Sequence, residues 1–320
     1  MRQITIGRND AGQRLDKFLS KAVPLLPAGL AQKYIRIKRV KVNGARAQAA
    51  QKLQEGDLLS LYINDEFFDE VREEDAFLHV TPNVDIVYED ENILLADKKP
   101  GMVVHADDTG ETNTLIANIQ AYLYQKGEWD PALENAFAPA LCNRIDRNTG
   151  GIVIAAKTAE ALRILNEKIK NREIVKKYLC VVHGAPTPAA GELHGYLYKD
   201  AARNKVFVSS RPRAGARTAV TKYRTLAVRG ELALLECELI TGRTHQIRAQ
   251  MAAFGHPLLG DGKYGTNEKN RGYNATYQAL WSYYLRFAFS SPAGALSYLK
   301  GREFHVSSVP FADTFFQKDL

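Results

Sequence analysis

Over the first sixty residues the apolar positions recur at helical spacing and then change to strand-like alternation. Leu15, Phe18, Leu19 and Ala22 stand at i, i+3, i+4 and i+7 and predict a first helix, with Asn9 or Asp10 as its N-cap. Pro24 and Pro27 interrupt the chain. A second helical run from Gly29 to about Ile37 places Leu30, Tyr34 and Ile37 on one side and Lys33 and Arg36 on the other. Val40-Lys41-Val42 then reads as a strand ending in an Asn43-Gly44 turn, because Asn-Gly accepts positive φ. Leu53, Gly56-Asp57 and Leu58 to Ile63 give a further turn and a closing strand.

Past this segment strand-like stretches predominate: Asp85 to Tyr88, Ile93 to Asp97, Ile152 to Ala156, Tyr178 to His183, Thr218 to Leu226 and Leu232 to Ile240. Two helical runs interrupt them. Thr158 to Ile169 carries Leu162, Leu165 and Ile169 on one face. His245 to Phe254 carries Ile247, Met251 and Phe254 and stops at Gly255, a natural residue after a helix end. Many strands with few helices between them point to α+β architecture with a mixed, mainly antiparallel sheet, rather than a doubly wound one. Residues 65–75, DEFFDEVREED, hold seven acidic side chains and one arginine and mark a boundary. The expected division is therefore a small domain over 1–64, an acidic linker over 65–84 and a large domain over 85–320.

Composition adjusts this picture in two respects. A chain of 320 residues with 45% hydrophobic and 25% charged content suits a globular protein of two domains. The opening MRQITIGRND lacks a basic segment followed by an apolar run, and no stretch approaches the ~18 apolar residues of a membrane helix, so neither a secretory signal nor a membrane association is expected. Three scattered cysteines, Cys142, Cys180 and Cys237, suggest neither a disulfide framework nor a zinc site, and a cytoplasmic setting is expected. Charge is the more informative property. Residues 1–60 hold 12 Lys or Arg against 4 Asp or Glu, a surplus of +8 in a chain whose total is +7. Positive charge concentrated on a short segment suits a polyanion, since neutralising phosphates releases counterions; a merely solvated face is the alternative.

Four segments could carry chemistry. Asn143-Arg144-Ile145-Asp146-Arg147-Asn148-Thr149-Gly150-Gly151 precedes the apolar strand IVIAA. Flanking arginines would keep the Asp146 carboxylate ionised, and Asn-Thr-Gly-Gly favours a tight turn holding it at the mouth of a sheet; a structural ion pair is the plainer reading of the same residues. Leu239-Ile240-Thr241-Gly242-Arg243-Thr244-His245-Gln246-Ile247-Arg248 runs from a strand through a glycine turn into a helix whose first turns should expose Arg243, His245 and Arg248, where an anion could sit. Gly255-His256-Pro257 and Gly260-Asp261 follow. Lys98-Lys99-Pro100-Gly101-Met102-Val103-Val104-His105 places a turn after a strand, and Lys176-Lys177-Tyr178-Leu179 places a tyrosine within one.

Arg14-Leu15-Asp16-Lys17-Phe18-Leu19, the stretch Tyr34 to Gly44, and Gly56-Asp57 together resemble the S4 RNA-binding domain. The four later segments, with Arg217-Thr218-Ala219-Val220-Thr221-Lys222-Tyr223, resemble the RluA-type family of pseudouridine synthases over roughly residues 85–300. Two positions depart from the pattern: Asn143 stands where that family often has His, and Gly150 where it often has Ser. The resemblance implies an α+β enzyme that isomerises uridines in structured RNA, breaking the N1–C1′ bond and joining C5 to C1′. No redox step or energy input is needed, so no cofactor and no metal are expected.

By the same resemblance Asp146 is the essential carboxylate, acting as base or nucleophile, with Arg248 paired to it and Tyr178 stacked on the uracil. Arg144 would occupy the space left by a flipped base, at a cost of a few kcal/mol in lost stacking. Arg147, His105, Arg243 and His245 would shape the pocket or touch RNA. Further RNA contacts are expected from Arg36, Lys38 and Arg39 and from Arg203, Arg211 and Arg213, the last three within residues 201–230, where eight Lys or Arg occur without an Asp or Glu. Ribosomal RNA is the expected partner, with transfer RNA as the alternative. A monomer is expected, although no pattern in the chain specifies an oligomeric state. Two other functional classes stay open: a non-catalytic RNA-binding module on the same fold, and a phosphodiester hydrolase, which would need a His pair or a carboxylate cluster for metal.

Overall fold

The computed structural model describes residues 1–68, 76–106 and 110–316; most of the acidic stretch, residues 69–75, therefore lies outside the described residues. The chain separates into two compact units. The first comprises residues 1–83, 116–140 and 156–163, and the second residues 84–115, 141–155 and 164–320.

In the first unit a four-stranded sheet of order β1-β4-β2-β3 is formed by β1 (Arg2–Thr5), β2 (Val40–Val42), β3 (Ala45–Arg46) and β4 (Leu58–Leu61). It is paired antiparallel throughout. Helix α1 (Leu15–Ala22) buries Leu15, Phe18 and Leu19 as expected. Helix α2 (Ala28–Arg36) instead buries Ala31, Tyr34 and Ile35, not the expected Leu30–Tyr34–Ile37 face; Leu30 is only partly buried, and Ile37, past the helix end, is exposed. The buried set packs with Val40, Leu53 and Leu59 in one core. Asn43 and Gly44 both adopt positive φ, 51° and 74°, as the two-residue hairpin requires. The expected cap of α1 is not formed. The helix starts after Arg14 with no side-chain cap. Asn9 instead accepts a hydrogen bond from the Ala159 amide and donates to Glu134, and Asp10 accepts from Asn135. These polar side chains are spent on distant parts of the same unit, the loop that follows α3 (Leu115–Gln125) and the start of α4 (Ala159–Lys170).

The second unit is built on one large mixed sheet. Its strands are β5 (Ile86–Glu89), β6 (Ile93–Lys98), β7 (Ala140–Leu141), β8 (Gly150–Ala156), β9 (Ile174–His183), β10 (Ala190–Asp200), β11 (Lys205–Ser209), β12 (Arg217–Arg229), β13 (Leu232–Leu239), β14 (Leu280–Phe287) and β15 (Glu303–His305). They follow the order β11-β10-β12-β13-β9-β14-β8-β6-β5, with β15 beside β14 and β7 beside β8. Pairing is antiparallel from β11 through to β14, whereas β8 runs parallel to β14. The mixed, mainly antiparallel α+β class is thus the observed one.

Strand β8 is buried at all seven positions, which is why it reads as an unbroken apolar run. Helix α5 (Gln246–Ala253) ends before Gly255, whose φ of 93° closes the helix as expected. Short helices α6 (Asn267–Asn270) and α7 (Pro310–Phe316) complete the unit; α7 contributes Ala312 and Phe316 to a core with Leu179, Val181, Leu234 and Trp281. No helix of the described residues is long and apolar enough to cross a membrane.

Candidate active site

Glycine decides where the Asp146 loop can lie. A methyl group on Gly150 would stand 2.4 Å from the Trp281 ring, and one on Gly151 only 2.3 Å from the Ser282 carbonyl oxygen. At these two residues β8 meets β14, Gly150 opposite Trp281 and Gly151 opposite Ser282. The two glycines expected in a turn are therefore the first residues of the strand, and they are glycines because a neighbouring strand presses against them. The turn itself lies just before them, closed by the Thr149 amide on the Asp146 carbonyl at 3.0 Å. Asn143 accepts from the Ile154 amide at 2.9 Å, so its side chain braces the loop rather than pointing to a substrate.

Register places the aromatic partner. On the other edge of β14, Ser282 pairs with Tyr178 of β9, so Tyr178, Ser282 and Gly151 form one row across three adjacent strands. Tyr178 is 5% exposed. Burial pushes its hydroxyl up to about 12, Ser282 opposes that rise and the Asp146 charge adds to it, so the phenol stays neutral.

Helix α5 delivers the arginine. Arg248 donates from Nη1 to Asp146 Oδ2 at 2.7 Å, and grips Asp261 through Nε and Nη2 at 2.7 and 2.9 Å. The expectation that the first turns expose this side chain is corrected: Arg248 is 7% exposed, and Gln246 to Met251 are all buried. A buried guanidinium needs anions on both edges of its fork, and the two aspartates supply them. Burial works against its charge, but Asp261 and Asp146 together raise its pKa. Asp261, fully buried, is kept ionised against burial by Arg248 and by the Lys263 and Tyr264 amides. In the sequence Asp261 stands out only as part of a Gly-Asp pair; its distance of thirteen residues from Arg248 gives no periodic signal.

Lys98 likewise carries no signal of its own within the Lys-Lys-Pro-Gly motif. It is 1% exposed and donates to the carbonyls of Lys99, Met102 and Arg147 at 2.8–2.9 Å, tying the Pro100-Gly101 turn to the loop that bears Asp146. Burial lowers its pKa to about 7, against the opposing charges of Asp146 and Asp97.

His245 precedes α5 in the left-handed region at φ 52°, with Nε2 3.8 Å from Asp146 Oδ2 and Nδ1 2.9 Å from the Tyr264 hydroxyl. Arg243 is half-buried and donates to the Thr218 carbonyl at 3.2 Å. Arg144, Arg147 and His105 are exposed at the surface; partial shielding of the His105 ring and the charge of Arg144 lower its pKa. The structure thus brings Asp146, Arg248 and His245 together, with Tyr178 in the field of the carboxylate.

Arg203, Arg211 and Arg213 are exposed on and after the β10–β11 hairpin, Arg213 lying 3.9 Å over the Tyr198 ring. Arg36, Lys38 and Arg39 belong to the first unit and are all exposed. There, Gly29, Gln32, Lys33, Arg36, Arg46 and Gln48 line an open groove of about 590 Å³. Among the described residues no three His, Cys, Asp or Glu side chains cluster as a metal site.

A half-open carboxylate on a mixed sheet, in a chain that also carries a small basic α+β unit, fits an enzyme that works on nucleic acid. Comparison with known proteins makes the class specific. Residues 92–253 match the RNA pseudouridylate synthase family, and residues 13–59 match the S4 domain. An uncharacterised RNA pseudouridine synthase of Bacillus subtilis is 31% identical over 263 residues, covering 82% of each chain. The ribosomal large subunit pseudouridine synthase D of Xylella fastidiosa is 31% identical over 273 residues, covering 84% of this chain and 76% of that one. Among solved structures, human RNA pseudouridylate synthase domain containing 4 shares the fold, with TM-score 0.55 at 23% identity over 71% of this chain and 89% of that one. This chain belongs to the RNA pseudouridylate synthase family, in its RluA-type branch with an N-terminal S4 domain, and is an isomerase acting on RNA.

Proposed function

We propose that the chain converts specific uridines of ribosomal RNA to pseudouridine, with Asp146 as the essential carboxylate. The observation that carries this reading is the 2.7 Å pair between Arg248 and Asp146, in which the arginine is buried while the aspartate side chain keeps 24% of its surface open. A cation fixed behind one carboxylate oxygen holds the group aimed, which a base or nucleophile at the ribose needs. Removing the uracil from C1′ leaves a base that must turn before C5 can bond. Tyr178, neutral and packed in the sheet, offers a flat apolar face for stacking and a hydroxyl for proton transfer at C5. Arg144 fills the space vacated when the uridine leaves its stack, and Arg147, His105, Arg243 and His245 line the entry.

Phosphate contacts come from two basic surfaces, Arg36, Lys38 and Arg39 on the 1–64 domain and Arg203, Arg211 and Arg213 on the hairpin of the 85–320 domain, with 65–84 as the linker. Ribosomal RNA is favoured because relatives such as the Xylella fastidiosa protein are named for the large ribosomal subunit. The chain acts as a monomer in the cytoplasm. The test is tritium release from RNA labelled at uracil C5: Asp146→Asn should abolish it, and substantial residual release would refute the role of Asp146. Sequencing RNA from cells with and without the protein then locates the uridine, and a site in transfer RNA would overturn the ribosomal assignment.

A further inference from the structure

One group beside the carboxylate is held with more care than pocket lining requires. The Tyr264 hydroxyl receives the Val206 amide at 2.9 Å and lies 2.9 Å from His245 Nδ1. A phenol has one proton to give. With an amide already aimed at its oxygen, we assign that proton to Nδ1, which makes Nδ1 the acceptor and leaves the ring hydrogen on Nε2. The ring is neutral: burial lowers its pKa, and Arg248 and Lys263 add to this against Asp146 and Asp261. Nε2–H stands 3.8 Å from Asp146 Oδ2. That separation is too long for a hydrogen bond between them. It does allow one oxygen atom to sit at ordinary hydrogen-bond distance from both, with a near right angle at that oxygen. Such an oxygen must accept from Nε2–H and donate to the carboxylate.

Within an RNA chain a uridine has one group of that kind. The uracil carbonyls only accept, N3–H only donates, and the 3′ and 5′ oxygens are esterified; the ribose 2′-hydroxyl does both. We infer that His245 is a catalytic residue whose Nε2–H, together with Asp146 Oδ2, holds the 2′-hydroxyl of the target ribose, and that Tyr264 is the positioning residue that sets the imidazole tautomer. The inference rests on the reading of Asp146 as the carboxylate facing the sugar. Oδ2 is then occupied by Arg248 and the 2′-hydroxyl, which leaves Oδ1 for the chemistry at C1′ or C2′. The same contact makes the site selective for ribose. Because Tyr264 is anchored by Val206 of β11, and Lys263 holds the Asn204 carbonyl at 2.8 Å, the basic hairpin and this hydroxyl clamp share one support.

The experiment is a cycle between enzyme and substrate. A synthetic RNA carries the uridine left unmodified in cells lacking the protein, as ribose, 2′-deoxyribose or 2′-fluororibose, and single-turnover rates and Kd are measured for each. On wild-type enzyme the deoxy sugar should lower the rate about 100-fold, the size of losing one well-placed donor, with little change in Kd. The fluoro sugar, which cannot donate, should behave likewise. His245→Phe should lose about as much on ribose and lose nothing further on the deoxy sugar. Tyr264→Phe should lose about 10-fold on ribose, as supporting hydrogen bonds do, and little on deoxyribose; it carries the cycle if His245→Phe fails to fold. Losses that multiply, or a wild-type enzyme indifferent to the sugar, overturn the inference. Asp146→Asn is run on the ribose RNA: activity there sinks the assignment of Asp146, whereas an inactive Asp146→Asn beside multiplying losses sinks only the role of His245.

Discussion

Arginine serves two opposite purposes in this chain. Arg248 is 7% exposed and bound on both edges by carboxylates, a charge committed to one geometry. Arg36 and Arg39 stand in water on the S4 domain, Arg39 with its guanidinium 5.2 Å from the Tyr34 ring. The first kind of arginine is worth what its pairing returns against desolvation; the second is worth what it gains when a phosphate arrives. Residue type is common to both. Burial and partner separate them, and neither is visible in the letters Gly-Arg-Thr-His-Gln-Ile-Arg or Tyr-Ile-Arg-Ile-Lys-Arg.

The comparison is tested most severely by taking away the anion behind Arg248. Asp261→Ala leaves a guanidinium buried with half its partners gone, and should cost about 3–5 kcal/mol in urea unfolding as well as turnover. A cost under about 1 kcal/mol would mean that the Arg248 charge reaches water, and that the contrast between the two regions is false.

Lys98 sharpens the same point through pH. Its folded pKa of about 7 lies below the ordinary 10.5, so between these values the unfolded chain binds the extra proton. Stability then rises with pH across that window at a slope of up to about 1.4 kcal/mol per unit, and the penalty of the buried charge is complete below pH 7. Three carbonyls at hydrogen-bond distance favour the ammonium form and should flatten the slope. Comparing unfolding of wild type and Lys98→Met from pH 7 to 10 isolates the term. The wild-type stability minus that of the variant should increase as pH rises, and a value that falls with pH would reverse the sign of the argument.

How much of this was legible follows from which signals are local. The helices of the S4 domain, the Asn43-Gly44 turn and the end of α5 at Gly255 are written in spacing and in positive-φ residues. Strand β14 was not anticipated: Leu-Trp-Ser-Tyr-Tyr-Leu-Arg-Phe is buried on both faces and shifts register between Ser282 and Tyr284, so no alternation survives. Strands β10 and β11 are only lightly buried and carry charge, and α3 is apolar around most of its surface. At the site, Asp146, Tyr178 and Arg248 were found through resemblance to a family. Asp261, Lys98 and Tyr264 were not, because each matters through a partner that folding alone brings near. Gly150 teaches the converse. Its reason is the Trp281 ring, 131 positions away, so a departure from the family pattern is in part a local packing solution.

The smallest expected effect on stability bears on the other side of the comparison. Arg36→Ala with Arg39→Ala removes two exposed charges, that of Arg39 lying over the Tyr34 ring, so unfolding should move by less than about 1 kcal/mol per site. RNA binding should respond instead. If both side chains neutralise phosphates, the slope of log Kd against log salt falls by about one for each, and affinity drops at low salt more than at high. The measurement is Kd for a structured ribosomal RNA fragment at several salt concentrations. An unchanged slope would place these arginines among solvated surface charges and move the RNA path away from α2. A changed slope with unchanged stability would set the two arginine types apart on one protein, since the double variant alters only the bound state whereas Asp261→Ala alters the folded one.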